Sequence, residues 1–182
     1  MNKPIGYDEA EAFTGEFKQL PPGGYICMIK KAVVELNKQG NEQLVLFLDV
    51  ADGEYKDIFQ TQYNNDTRNP KKYPNSGVYR QNTSGKSLPF FKGVMTSIEK
   101  SNYNYKWNWD ERTLAGKTVG AIFGREQYQK QDDTLAFATK PVRICSVDTI
   151  IAGVEPPKDK LLKQSIDRLS EEVQFDPNDI PF

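Results

Sequence analysis

The chain has 182 residues, 37% of them hydrophobic, and its 24 Lys and Arg against 25 Asp and Glu leave a formal net charge of -1. With a mean hydropathy of -0.67 and no long apolar run, a membrane span is excluded; the first residues lack the apolar stretch of a signal peptide, so a cytoplasmic protein is expected. The chain has no histidine and only two cysteines, which removes the commonest general base and metal ligand and any Cys-rich zinc site; no phosphate-cradling glycine loop is present, so no cofactor is expected and most enzyme classes drop out, a magnesium-dependent nuclease staying open.

Residues 1–20 carry Tyr7, Phe13 and Phe17 among acids and read as an N-terminal arm that ends at the break Pro21-Pro22-Gly23-Gly24. Residues 25–36 are rich in strand formers, 37–41 are a turn, and 43–50 place Leu44, Leu46, Leu48 and Val50 on one face with a period of two. These two runs predict a long hairpin. A turn at Asp52-Gly53 leads to a third strand over 54–63, marked by Tyr55, Ile58, Phe59 and Tyr63. Residues 64–86 read as a long polar loop of the length that carries function. Ser87 is placed to cap a helix starting at Leu88; Phe90, Phe91, Val94, Met95 and Ile98 recur at helical spacing as its core face, and it ends near Asn102. A fourth strand is expected over 116–124, a polar hairpin tip over 127–134, and a fifth strand over 135–147. Cys27 and Cys145 fall in alternating apolar stretches and read as small core residues rather than a disulfide pair. After Pro156-Pro157, residues 158–169 put Leu162, Ile166 and Leu169 on one helical stripe; an amphipathic helix and a partly helical linker both fit.

Three strands, a helix and two strands is the element order of the OB-fold, a five-stranded Greek-key barrel with its helix between strands 3 and 4 that often binds oligonucleotides. An SH3-like barrel or an open sheet with one helix remains an alternative. The expected organisation is an arm (1–20), an all-β OB domain (21–152), a linker (153–170) and an acidic tail (171–182). Charge follows it: residues 21–150 carry a net +4, between ends of -2 and -3. Whole-chain neutrality therefore hides a positive domain.

Residues 63–106 hold eight basic residues against two acids, Asp66 and Glu99, with aromatics interleaved. Cations neutralise phosphates and release counterions, and aromatic faces stack on unpaired bases of any sequence. Duplex bases are already stacked, so the combination points to single strands. The candidate contacts are Tyr63, Arg68, Lys71, Lys72, Tyr73, Tyr79, Arg80, Lys86, Lys106, Trp107 and Trp109, with Arg125, Tyr128 and Lys130 on the last hairpin. Tyr73 and Tyr79, in a polar stretch without apolar company, are the better stacking candidates. Trp107 and Trp109, two apart, share a face in extended chain and either bind or cover the barrel end. Phe47 points opposite the leucine row and is the weaker stacking candidate.

Residues 171–182 hold four acidic side chains, no Lys or Arg, and two prolines, which predicts neither helix nor strand. The ending Asp176-Pro-Asn-Asp179-Ile180-Pro181-Phe182 is similar to the acidic tip of bacterial single-stranded DNA-binding proteins, although Pro177 and Asn178 interrupt its acidic run. An acidic segment that ends on a large apolar side chain suits capture by a partner, with the Phe182 ring in an apolar pocket and a basic residue on the carboxylate; the resemblance implies that the partners are replication and recombination proteins. The stretches 20–25, 91–102 and 106–110 (Leu-Pro-Pro-Gly-Gly-Tyr, Phe-Lys-Gly-Val-Met-Thr-Ser-Ile-Glu-Lys-Ser-Asn and Lys-Trp-Asn-Trp-Asp) resemble a phage family of single-stranded DNA-binding proteins. That resemblance implies a DNA-coating role in phage replication or recombination inside a bacterial host, with a homo-oligomer allowed. A protein-binding adaptor barrel that never touches nucleic acid is the competing expectation.

Overall fold

The computed structural model describes residues 3–8 and 19–162. The expected acidic tail, residues 163–169 of the expected last helix, and Phe13 and Phe17 of the arm lie outside the described residues.

Strand β1 (Gly23–Leu36) starts directly after the two prolines and turns back into β2 (Glu42–Val50). Asn37 builds that turn. Its side-chain oxygen accepts the backbone N–H groups of Gln39 and Asn41 at 2.9 and 3.0 Å, and Gly40 supplies the left-handed residue, φ +79°. Leu44, Leu46, Leu48 and Val50 are sealed in the core as the period of two demands, which puts Val45, Phe47 and Asp49 on the opposite face. A bulge between Ile29 and Lys31 makes Lys30 an extra residue in β1 and bends the strand. Before it, β1 pairs with both β2 and β4 (Thr118–Gln129); after it, with β2 alone. Strand β3 (Val78–Asn82) flanks β2, and β5 (Leu135–Cys145) flanks β4. The sheet order is β3-β2-β1-β4-β5, antiparallel throughout. Its two end strands lie beside each other without a ladder among the described residues. With α2 (Leu88–Ser101) between β3 and β4, this is the expected all-β OB arrangement, a partly open barrel.

Helix α2 buries Phe91, Val94, Met95 and Ile98. Phe90, expected on the same face, is 68% exposed, because it sits about 100° around the helix from Phe91 and off the stripe. Ser87 does not cap: its backbone is already helical and its side chain accepts no cap hydrogen bond. The far end is held by Asn102. Its amide donates to Ile98 O and Thr118 O at 2.8 and 2.7 Å and accepts Thr118 N–H at 3.0 Å, clasping the helix to the start of β4.

Two expectations between β2 and α2 are corrected. The run expected as a third strand is helix α1 (Ile58–Asn64), and the true third strand lies inside the stretch expected to be loop. The cause is Asp49. Pointing away from the core on β2, its carboxylate accepts the N–H groups of Val50, Phe59 and Gln60, all at 3.0 Å. It thereby satisfies the first donors of a helix ten residues on. Phe59 then enters the core and stacks on Phe123 at 6.0 Å. Burial pushes the Asp49 carboxyl up, against the downward pull of the three donors.

A short helix not expected from sequence, α3 (Val147–Ile151), is capped by Ser146, whose side chain accepts Thr149 N–H. Gly24 and Gly120 let it and the following chain lie against β1 and β4: a Cβ on Gly120 would stand 2.6 Å from Ser146 O and from Ile150, and one on Gly24 would meet Val154. Residues 158–162, where an amphipathic helix and a partly helical linker both fitted the sequence, run extended along β4, with Lys160 bridging Glu126 in parallel. Cys27 and Cys145 are free and buried. No helix among the described residues is long and apolar enough to cross a membrane.

Replacing Asp49 by Ala strands two buried helix donors and is expected to cost about 1–3 kcal/mol, read as a lower urea midpoint. Asp49→Asn, which keeps one acceptor oxygen, is expected to lose less.

Candidate nucleic-acid interface

Strands β1, β2 and β3 form a face opposite the core in cross-strand rows, with Val45 and Val78 buried within it. Lys31, Phe47 and Val78 form one row, Val33, Val45 and Arg80 the next, and Glu35, Gln43 and Asn82 the third. Side-chain bonds knit the rows: Gln43 donates to Glu35 at 2.9 Å, Arg80 pairs with Glu35 at 3.7 Å, and Asn37 donates to Asn82 at 3.2 Å. Lys30 and Lys31 are exposed at the bulge.

Aromatic rings continue this face. Tyr73 meets Phe47 edge-on at 5.6 Å, and Tyr63, on α1, leans on Tyr73 at 5.9 Å. The Tyr73 hydroxyl donates to Leu48 O at 2.8 Å, on β2 just past the last residue paired with β3. Burial and the neighbouring Asp49 charge push that phenol well above its ordinary value. Tyr73 is therefore half-buried and fixed, where a freely presented loop ring was expected. Tyr79 is corrected outright. It lies on β3 opposite Leu46, points inward and is 9% exposed in the core, so it offers no face to a base.

The α1–β3 connection is organised by Asp66. Its carboxylate accepts Arg68 N–H at 3.0 Å, the Arg68 guanidinium at 2.8–3.0 Å, and Lys72 N–H at 2.9 Å. The Arg68 guanidinium and these amides hold the Asp66 carboxyl well below the usual carboxylate range. Lys71 reaches back to Asn64 O at 2.6 Å. Lys71 and Lys72 make no ion pair among the described residues and are exposed, whereas Arg68 is paired with Asp66.

The other expected contacts fall elsewhere. Arg125, on β4, is paired through both nitrogens with Asp159 of the extended C-terminal run and lies 5.1 Å from the Phe137 ring centroid. Glu126 takes Lys140 and Lys160 at 3.2 and 2.7 Å. Tyr128 is 42% exposed, and Lys130 closes the hairpin tip through its backbone bond to Thr134. Lys106, Trp107 and Trp109 belong to the α2–β4 connection, and exposed Lys86 to the turn before α2. The expected residues are thus divided among three surfaces and the core. Of the residues on this face, Lys30 and Lys31 were not among the expected contacts, and Phe47 was expected only as the weaker stacking candidate. The period of two already pointed Phe47 away from the core, but only the strand pairing shows Lys31 beside it.

Among the described residues no three His, Cys, Asp or Glu side chains are grouped to hold a metal ion. No protein-family model matches the chain, and no curated protein is similar to it.

Asp66→Ala is expected to speed amide exchange at Arg68 and Lys72 while leaving the melting temperature within a degree or so, since a loop opens below the global free energy. Because the folded carboxyl lies below its ordinary 3.8, loop order is fully present above that value. It is lost as pH falls through the depressed one, so protection of these amides should persist at pH 4 and fail only in stronger acid.

Proposed function

We propose that the chain binds single-stranded DNA without sequence preference, in phage replication or recombination, and acts by binding rather than catalysis. The observation that carries the reading is the outer face of β1–β2–β3. There Lys30, Lys31 and Arg80 stand with the Phe47–Tyr73–Tyr63 rings, on the strands through which OB-folds engage oligonucleotides. Cations neutralise the backbone and rings receive unpaired bases. The net charge of +4 over residues 21–150 supports the same reading. The acidic segment 171–182 is assigned to partners: Asp176 and Asp179 provide charge, while Ile180, Pro181 and Phe182 provide the apolar hook for replication and recombination proteins in the host cytoplasm.

Anisotropy of labelled oligothymidine tests the face. Phe47→Ala should weaken binding by about 1–3 kcal/mol for a lost stack. Lys31→Ala should lower the slope of log affinity against log salt by about 0.7. Unchanged affinity and slope in both variants would leave the adaptor reading, and shortening of the labelled strand with magnesium would favour the nuclease. Deleting residues 171–182 should leave DNA affinity equal or modestly higher at low salt and abolish capture of partner enzymes; loss of DNA binding on deletion would overturn this division of roles.

A further inference from the structure

The α2–β4 connection carries an aromatic site that the sheet face does not use. Trp109 has φ +66°, a left-handed conformation that bulky residues rarely adopt. The residue is nevertheless 79% exposed, so a strained backbone presents a large apolar side chain to water. Such local strain persists only where the surroundings impose it, and it concentrates at ligand contacts. The surroundings here are specific. Trp109 leans on Trp107 at 6.0 Å. Trp107 packs against the core, and its backbone N–H donates to Glu99 at 2.9 Å. The Trp107 indole nitrogen is buried without a partner among the described residues. Trp109 is therefore a propped ring with a rigid backing.

The charges around it are mixed: Lys106 is paired with Glu99 and Arg112 with Asp110, while Lys117 makes no ion pair among the described residues. Lys106, on Glu99 at 3.4 Å, keeps 83% of its side chain exposed. Lys117 lies 4.7 Å over the Tyr105 ring. The end of the connection is pinned to β1, with Ile29 N–H donating to Lys117 O at 2.9 Å and Gly116 N–H to Ile29 O at 2.7 Å. This puts Lys117 beside the bulge that bears Lys30 and Lys31, which also belong to the outer face. The backbone pairing of Ile29 with Gly116 and Lys117 thus joins the β1 bulge to the end of the tryptophan segment.

We infer that Trp109, backed by Trp107, is a second base-stacking platform, reached by one single strand that leaves the outer face over Lys31, Lys30 and Lys117. The inference rests on the DNA-binding reading above. It makes the footprint of one barrel longer than the sheet face alone, within the roughly 4–16 nucleotides an OB-fold covers.

The chain has two tryptophans, both in this segment, so indole emission reports this platform while anisotropy of a labelled strand reports total binding. Oligothymidine of about 5 and about 15 nucleotides separates the contacts. The short strand should bind without quenching; the long strand should quench. Trp109→Ala should weaken the long strand roughly tenfold or more, as loss of a stacked base does, and leave the short strand unchanged. Trp109→Phe should restore most of the loss, with the melting temperature of both variants as the folding control. Long-strand binding without quenching and with unchanged affinity in Trp109→Ala overturns the inference but keeps the DNA reading. Quenching by both lengths alike merges Trp109 into the first contact and also overturns it. Failure of the wild-type chain to bind either strand overturns both readings.

Discussion

The carboxylate of Asp49 is the constraint on which the aromatic part of the β1–β2–β3 outer face depends. It leaves β2 on the side away from the core, yet it is almost completely buried, because α1 is folded down over it. A buried carboxylate is costly unless hydrogen-bonded, and three backbone donors offset that cost here. The consequence is spatial. Fixing α1 at the end of β2 sends Phe59 inward to Phe123 and sets Tyr63 outward against Tyr73, and Tyr73 in turn closes on Phe47 and the Leu48 carbonyl. One acid thereby couples the barrel core to the aromatic part of the outer face.

Charge is handled in the same local manner. The barrel is positive overall, but several of its cations are already engaged. Arg68 is held by Asp66, Arg125 by Asp159, and Lys140 and Lys160 share Glu126. Exposed pairs of this kind contribute little to stability, and their effect is to shape loops: the first pair orders the α1–β3 connection, and the others tie the C-terminal run to the β4–β5 arm. On the proposed reading, the cations at the β1 bulge and on residues 71–72 are among those that a phosphate backbone would meet without first breaking an ion pair among the described residues. The whole-chain value of -1 conceals this distribution of engaged and unengaged charge.

Much of the barrel was legible because its signals are local. The leucine alternation of β2, the Asn37–Asn41 turn before it and the 91-94-95-98 stripe of α2 are each contained within a dozen residues, and each element stands where its pattern puts it. The region between β2 and α2 was not legible. Residues 58–64 contain good strand formers but are helical, because their donors are answered by a carboxylate on another element. Strand β3 is five residues long and polar at one end, and it is recognisable as a strand only through its pairing with β2 some thirty residues earlier. Tyr79 shows the cost of missing that pairing: the same side chain reads as a loop aromatic in the sequence and as a core residue once its register against Leu46 is set.

By itself, then, the order of residues determined the class of fold, the hairpin, the main helix and the concentration of cations and rings in the middle of the chain, since all of these follow from short-range periodicity and composition. Which rings face water, which cations are already paired, and which residues share a surface were decided by strand register, by the bulge at Lys30 and by the reach of Asp49 to α1. These contacts join residues far apart in sequence. A shift of one position in any strand would turn its whole row of side chains to the other face, so no reading of neighbouring residues alone could settle them.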